Sequence, residues 1–227
     1  MKLTELCSEP LPGDLDLSEE ILIGNDLCGE MPRLVSEHIG PRPLWLADPS
    51  TWNALGDVDL DCKTGRPVGE EGLHLLPGHP HADTEQVGRV CGLVEGGGFS
   101  GIVAVGSGTV NDIAKMAATL SSVPYIAFAT AASMNGYSSG IAAILADGLK
   151  VTVPARPPRA LIMDSNVLAK APPELAQAGL GDLLSKPVST ADWWLGDRLE
   201  GRGFDELPGR IVDDAVRQAA THATGLP

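Results

Sequence analysis

The stretch from Gly101 to Thr130 constrains the fold more than any other part of the sequence. It opens with "GIVAVG", an apolar run of strand length, and continues with "TVNDIAKMAATL". Apolar residues recur in the second segment at i, i+3, i+4 and i+7, which predicts an amphipathic helix: Val110, Ile113, Ala114 and Ala117. "PYIAFAT" is then a second buried strand. Strand, helix and strand in this order predict a parallel sheet covered by helices.

The same alternation runs through most of the chain. Further strands are expected at "EILIG", "PLWLAD" and "EGLHLL", and helices at "GEMPRLVSEHI", "WNALG" and "HADTEQVGRVCGLVE". The first two strands and the helix between them should form a β-α-β unit. Asp83, with Gln86 three positions later, is a capping-box pattern at the start of the third helix. "IAAIL" and "LKVTVPA" are expected to form a later pair of strands.

The pattern becomes helical after Pro154. Helices are expected over 173–178, 180–195 and 208–223, and Pro187 should kink the second of them just after Lys186. We therefore predict an α/β fold: a Rossmann-like, mostly parallel sheet domain over residues 1–153, followed by the start of an all-helical domain over residues 154–227. The apolar side of the last helix needs a partner surface, which predicts exposed apolar area or a homo-oligomer.

Composition excludes several functional classes. The net charge of −14 argues against a nucleic-acid-binding surface, because phosphate contacts need clustered Lys and Arg. The N-terminal residues lack the apolar core of a signal peptide, and no window approaches the ~18 apolar residues of a membrane span, so we expect a cytoplasmic protein without membrane insertion. The cysteines are widely spaced and include no C-x-x-C, which predicts reduced thiols rather than a metal clip: Cys7, Cys28, Cys62 and Cys91.

A glycine turn follows the first of the two buried strands. Gly106, Ser107 and Gly108 precede a helix, and such a turn brings backbone N–H groups and the positive end of the helix to the carboxyl ends of the strands. A pyrophosphate is the natural ligand there. The motif is weak by itself, since Asn111 replaces the last glycine of G-x-G-x-x-G, and an ordinary tight turn is the alternative. Asp112 and Lys115 lie three apart on the polar face of the helix, where spacing alone predicts a solvated ion pair.

Two later polar clusters are candidates for a binding cleft. Hydroxyl and amide side chains follow the next strand and should reach the same edge of the sheet, although a Ser/Gly-rich turn that satisfies its own backbone is equally consistent: Thr130, Ser133, Asn135, Ser138 and Ser139. On a later helix a polar stripe is formed by Asp182, Ser185, Lys186 and Ser189. Its carboxylate and ammonium could hold a metal and a phosphate inside a cleft, whereas on a surface they would only pair. "HLLPGHPHAD" fits a strand, a turn and a helix cap better than a metal site.

Four segments together resemble the glycerol-1-phosphate dehydrogenase family, especially its bacterial members: "VGSGTVNDIAK", "TAASMNGYSS", "PRALIMDSNVLAKAP" and "AGLGDLLSKPVSTADWWL". This family is grouped with glycerol dehydrogenases, iron-dependent alcohol dehydrogenases and dehydroquinate synthases. The resemblance implies an N-terminal nucleotide domain, a C-terminal helical domain and a catalytic divalent metal, Zn²⁺ or Ni²⁺, between them. It also implies a small phosphorylated substrate, dihydroxyacetone phosphate, reduced reversibly to sn-glycerol 1-phosphate with NADH or NADPH.

The resemblance also implies roles for individual residues. Gly106, Ser107 and Gly108 would hold the dinucleotide pyrophosphate, with Asp112 and Lys115 in the same cofactor-binding motif. Thr130 and Ser133 would line the nicotinamide, and Asp48 would meet the adenosine ribose. Asp182 matches the metal-binding aspartate, and Lys186 is placed near the substrate phosphate.

Two departures from the family pattern bear on activity. Asn135 stands where the family usually has an aspartate near the reacting hydroxyl, and an amide does not exchange protons as an acid or base. The family's metal is completed by two later histidines, which His222 does not match, so the chain is expected to be truncated. Two alternatives stay open: another enzyme of the superfamily, such as an alcohol dehydrogenase or a dehydroquinate synthase-like lyase, and a nucleotide-binding remnant without catalysis.

Overall fold

The computed structural model describes residues 16–55 and 72–223. Its strands are β1 (Glu20–Gly24), β2 (Pro43–Ala47), β3 (Leu73–Leu75), β4 (Gly101–Gly106), β5 (Tyr125–Ala129), β6 (Ile141–Ala146), β7 (Leu149–Pro154) and β8 (Ala160–Asp164). Its α-helices are α1 (Met31–His38), α2 (Pro49–Ala54), α3 (Thr84–Gly97), α4 (Gly108–Leu120), α5 (Ser165–Leu168), α6 (Pro173–Leu184), α7 (Lys186–Glu200) and α8 (Glu206–His222). Two 3₁₀ turns are formed by Leu27–Glu30 and Gly136–Ser138.

Six strands form one parallel sheet in the order β1-β8-β5-β4-β2-β3. The predicted α/β fold with a mostly parallel sheet is therefore confirmed. β6 and β7 form the expected pair, as a separate antiparallel hairpin that joins the start of α3 through the Leu145 N–H and the Ala82 carbonyl, 2.7 Å apart. All six parallel strands point the same way, so their C-terminal ends lie along one side of the sheet, which we call the carboxyl edge.

The core lies on both faces of β4 and β5, which are buried along their whole length. α3 and α4 cover one face through residues such as Val90 and Ile113. α1 and α5 cover the other face through residues such as Leu34 and Val167. Burying each large aliphatic side chain contributes about 1.5–3 kcal/mol to the free energy of folding. These two layers of helices therefore hold the sheet, and with it the carboxyl edge, in a fixed position.

The predicted β-α-β unit at the start of the chain is wrong in its pairing. β1 and β2 are separated in the sheet by three strands, and β1 instead pairs with β8, Glu20 opposite Ala160. β8 lies beyond the boundary predicted near Pro154, so the sheet takes its last strand from the segment that we expected to begin the helical domain. The prolines in "ARPPRALIMD" made this segment look unlike a strand in the sequence. Leu161 and Ile162 are nevertheless buried, one on each face of the sheet. The division into two domains remains a proposal, with its boundary moved past Asp164.

The helices after β8 also differ in detail from the prediction. Of the three helices that were predicted here, the first (α6) extends to Leu184 rather than 178, and the second (α7) begins at Lys186 rather than 180. Pro187 therefore does not kink a continuous helix: it lies in the first turn of α7, where its missing N–H costs nothing. The apolar side of these helices remains exposed within the described residues, with Val188 and Leu199 at 65% and 74% exposure.

The last helix has a partner inside the chain. α8 contacts both α6 and α7, and Gly209 of α8 is buried against Thr190, while its apolar side chains stay partly exposed. At α3 half of the predicted capping box is present: the Gln86 N–H donates to the Asp83 carboxylate, whereas the Asp83 N–H donates to the His81 carbonyl and not to the Gln86 side chain. Cys91 is a free thiol, as predicted, whereas Cys7 and Cys62 lie outside the described residues. Among the described helices none is long and apolar enough to cross a bilayer.

Candidate functional site

The glycine turn lies at the carboxyl edge, between β4 and α4. Ser107 adopts an extended conformation and precedes α4, and its side chain makes no capping bond to the described part of the chain. The first N–H groups of α4 therefore receive no capping bond from the Ser107 side chain, and they can donate to a bound anion. A Cβ on Gly106 would lie 2.5 Å from the Cβ of Val110, so only glycine allows the turn to approach its own helix this closely.

The hydroxyl-rich loop after β5, residues 130–140, meets this turn directly. The Thr130 N–H donates to the Gly106 carbonyl at 3.2 Å, and the Thr130 side chain is buried. A Cβ on either Gly108 or Gly136 would lie 3.5 Å from the sulfur of Met134, so the Met134 side chain bridges the two loops. The hydroxyl of buried Tyr137 donates to the Ala131 carbonyl at 2.8 Å and fixes the loop from within. The two loops that were predicted to share one edge do so.

Helix α6 presses against the same loop through a glycine that the sequence analysis missed. A Cβ on Gly179 would lie 1.8 Å from the carbonyl oxygen of Ala132 and 2.9 Å from its carbonyl carbon. The neighbour is backbone and cannot rotate away. A glycine inside a helix is itself a signal, because it costs about 0.5–1 kcal/mol relative to alanine. Gly181, two residues later, gives the same signal although nothing in the described residues approaches its Cβ position within 4 Å, so sequence alone cannot choose between them.

Asn135, Asp182 and Lys186 are brought together where α6 meets the loop. The backbone N–H of Asn135 donates to Asp182 Oδ2 at 3.1 Å, and Lys186 Nζ donates to Oδ1 at 2.9 Å. Burial opposes ionisation of Asp182, but the Lys186 ammonium and the Asn135 N–H outweigh it and hold the pKa of this carboxyl below its usual range. The Asn135 side chain is exposed, so its amide is available to a ligand. The predicted polar stripe thus survives the break between α6 and α7.

Lys115 and Asp112 do not form the solvated pair that their spacing predicts. Lys115 is fully buried, and its Nζ lies 2.8–3.1 Å from four oxygens of residues 136–141. Asp112 lies beneath the hairpin, where its carboxylate accepts weakly from the Ala143 N–H at 3.4 Å. Burial raises the pKa of Asp112, partly offset by Lys115 and Ala143. The prediction missed this because spacing alone does not reveal that the β6–β7 hairpin covers the polar face of α4.

Lys115 is enclosed by protein, so the cofactor-binding role that the resemblance implied for it stays a prediction and would be indirect. A direct contact with a dinucleotide would need the ammonium at the open edge, whereas protein encloses it. Asp48 does lie at the carboxyl edge, directly after β2. Its Oδ1 accepts from the N–H groups of Ser50 and Thr51, so one of its oxygens caps α2 and its role toward a ribose stays a prediction.

The described residues do not assemble a complete metal site around Asp182. The group of three potential ligands that they bring together consists of Glu20, Glu37 and His38, at the opposite edge of the sheet. A catalytic metal normally has about three protein ligands, and Asp182 offers one. The histidines of "HLLPGHPHAD" also behave as predicted, with His74 in β3 and His79 and His81 in the turn before the Asp83 cap.

Comparison with known proteins places this geometry in a family. A family model described as iron-containing alcohol dehydrogenase matches residues 22–172. A glycerol-1-phosphate dehydrogenase (NAD(P)+) of Bacillus subtilis (strain 168) is 37% identical over 211 residues, which cover 92% of this chain and 53% of the relative. Its counterpart from Thermococcus kodakarensis is 34% identical over 200 residues, 87% of this chain and 55% of the relative.

Solved structures agree in fold. Glycerol dehydrogenase from Schizosaccharomyces pombe matches with a TM-score of 0.65 at 21% identity, over 81% of this chain and 46% of that chain. The chain spans about half the length of the curated relatives it matches. The matched region contains the parallel sheet except the first two residues of β1, together with the glycine turn and the hydroxyl-rich loop. The chain therefore belongs to the iron-containing alcohol dehydrogenase family.

Proposed function

We propose that the chain binds NAD(P)H at the carboxyl edge and contributes to the reversible reduction of dihydroxyacetone phosphate to sn-glycerol 1-phosphate. The observation that carries the proposal is the meeting of the glycine turn, the hydroxyl-rich loop and Asp182 at one edge of the sheet. The identity to glycerol-1-phosphate dehydrogenases supports the choice of substrate. A cytoplasmic location and a homo-oligomer remain part of this proposal.

The residues at the carboxyl edge fit a dinucleotide. The N–H groups at the start of α4 would bind the pyrophosphate, and Gly106 and Gly108 leave it room to approach the backbone. Thr130 and Ser133 would border the nicotinamide, Asp48 the ribose, and Asp112 would remain an indirect contributor beneath the hairpin. A bound nicotinamide supplies or accepts the hydride, and the protein positions it.

On the substrate side the described residues supply a carboxylate, an ammonium and an amide. Lys186 would hold the substrate phosphate as a point charge, and Asn135 would hydrogen-bond the reacting oxygen without exchanging a proton. Asp182 would give one oxygen ligand to a divalent metal, Zn²⁺ or Ni²⁺. One ligand does not make a metal site, so the described residues alone would not hold this ion.

Two other functions have specific support. Glycerol dehydrogenases are among the similar solved structures, which favours an enzyme acting on an unphosphorylated polyol. The single carboxylate at Asp182 favours a nucleotide-binding module without turnover.

The assay offers glycerol 1-phosphate or glycerol to the chain with NAD+ or NADP+ and with Zn²⁺, Ni²⁺ or Fe²⁺, and follows the absorbance of reduced nicotinamide. We expect NAD+ or NADP+ to be reduced faster with glycerol 1-phosphate than with glycerol. Lys186→Met should raise KM for the phosphorylated substrate by about tenfold, since a charge-assisted phosphate contact is lost, and leave KM for glycerol unchanged. Lys170→Met, an exposed lysine outside the site, is the matched control. Absence of NAD(P)+ reduction in every combination would exclude the activity for this chain, and bound nucleotide without turnover would favour the binding module.

A further inference from the structure

The ammonium group of Lys115 is bound by a single short segment of the chain. Its Nζ lies 2.8 Å from the Gly136 carbonyl, 3.0 Å from the Ser139 carbonyl, 3.1 Å from the Ser139 hydroxyl and 3.1 Å from the Ile141 carbonyl. The Ser139 hydroxyl is itself within 2.8 Å of the Gly136 carbonyl and 3.1 Å of the Ile141 carbonyl. Four acceptors surround three N–H donors, so the ammonium can use all its donors on this segment.

This segment begins one residue after Asn135. The Asn135 N–H, the bond from the loop to Asp182, is therefore one peptide unit from the first carbonyl that Lys115 holds. Tyr137, inside the same segment, anchors it to Ala131 on the other side. Lys115 belongs to α4, the helix that follows the glycine turn. A buried ammonium thus connects the helix of the expected cofactor site to the loop that touches Asp182.

We propose that Lys115 is a positioning residue, whose enclosed amino group holds residues 136–141 against α4 and so sets where Asn135 meets Asp182. It acts through the loop and touches neither cofactor nor substrate. The inference deepens the proposed function and rests on it for its significance, since the loop it holds borders the expected nicotinamide and substrate positions. Its geometry is independent of any bound group.

A purely structural role is the competing explanation. A buried charge is costly, and replacing it with an apolar side chain of similar size can leave a fold as stable as before. Lys115→Met would leave the carbonyls of Gly136, Ser139 and Ile141 without their donor, and each would then gain by turning toward water. If Lys115 positions the loop, its replacement should raise hydrogen exchange in the loop alone. If its role is only structural, hydrogen exchange should rise over the whole sheet.

Hydrogen–deuterium exchange of the 227-residue chain separates these outcomes. In Lys115→Met we expect exchange over residues 131–141 to rise about tenfold, while peptides from β4 keep their wild-type rate. Ser139→Ala should give a smaller rise in the same peptides, and Lys170→Met none. An unchanged rate over 131–141 overturns the proposal, as does a rise of equal size in β4. If Lys115→Met does not fold, Ser139→Ala and the pH series below decide.

The pH dependence gives a second readout on the unmodified protein. Burial lowers the pKa of Lys115 from 10.5 to about 8, with Asp112 opposing the change. The other ionisable groups in this region are Lys150, exposed on β7, and the phenols of Tyr125 and Tyr137, whose pKa values burial raises, so both stay neutral. Between pH 8 and 10.5 Lys115 is protonated when the loop is open and has lost its proton when the loop encloses it. The closed loop therefore becomes more favourable relative to the open loop as pH rises.

Protection of residues 136–141, corrected for the intrinsic rate, should accordingly rise by up to about tenfold from pH 7 to pH 9 in the wild type. The same peptides of Lys115→Met should show no such rise. An equal rise in both proteins would assign the pH dependence to another group and would overturn the role given to Lys115. None of these exchange measurements requires nucleotide, so failure of the proposed function would leave their outcome readable.

Discussion

Gly179→Ala is expected to destabilise the protein by about 2–3 kcal/mol, as overpacking against an immovable neighbour does. The new Cβ would lie 1.8 Å from the Ala132 carbonyl oxygen, far inside van der Waals contact. Neither partner can give way by rotating a side chain, because one is loop backbone and the other is the Cβ itself. Either α6 moves away from the loop or the loop moves toward the glycine turn. Urea denaturation of both proteins measures the difference.

Gly181→Ala is the matched control for this substitution. It lies in the same helix, two residues further on, where no described atom comes within 4 Å of the new Cβ. Alanine is favoured over glycine in a helix interior, so this variant should be as stable as the wild type or gain up to about 1 kcal/mol. Equal stability of the two variants would show that α6 does not press on Ala132, and the arrangement of Asn135 and Asp182 would lose its support.

Gly106→Ala is expected to have the second largest effect, a loss of about 1–3 kcal/mol in stability. Its Cβ would lie 2.5 Å from the Cβ of Val110, an atom fixed to the backbone of α4. Relief requires the first turn of α4 to tilt away from β4, which displaces the N–H groups expected to bind pyrophosphate. Thermal or urea unfolding measures the first effect, and nucleotide affinity the second.

Gly108→Ala tests whether the Gly106 effect is specific. The added Cβ would meet only the Met134 sulfur, at 3.5 Å, which is ordinary contact with a flexible side chain. Stability should stay within about 0.5 kcal/mol of the wild type. A comparable loss at both positions would mean that the turn is sensitive to any side chain, and the close approach of Gly106 to Val110 would not be its cause.

The parts of the fold that the sequence predicts well are those with a clear apolar period. β4, α4 and β5 follow from the runs around Val103, Ile113 and Ile126, because both faces of these strands and the apolar face of the helix are buried. The position of the glycine turn at the carboxyl edge follows from the same pattern. Strand order does not, since the pairing of β1 with β8 joins segments some 140 residues apart without any local signal.

The candidate site was predictable as a set of segments and not as a set of contacts. Asp182 and Lys186 keep the i, i+4 relation that their spacing predicts, even across the break at Ser185. Lys115 was misjudged because a helix face that looks solvated in the sequence is covered by a hairpin that follows it in the chain. Gly179 was missed because its partner is a backbone carbonyl, and backbone leaves no mark on side-chain patterns.

The central claim is that the start of α4 binds a dinucleotide, and a fluorescence titration of NADH against the 227-residue chain tests it most directly. We predict saturable binding to one site. Gly106→Ala should weaken it by about tenfold, equivalent to about 1.4 kcal/mol, whereas Gly96→Ala, at an open position of α3, should bind as the wild type does. Absence of saturable binding by the folded wild type, or equal affinity in Gly106→Ala, would contradict the account.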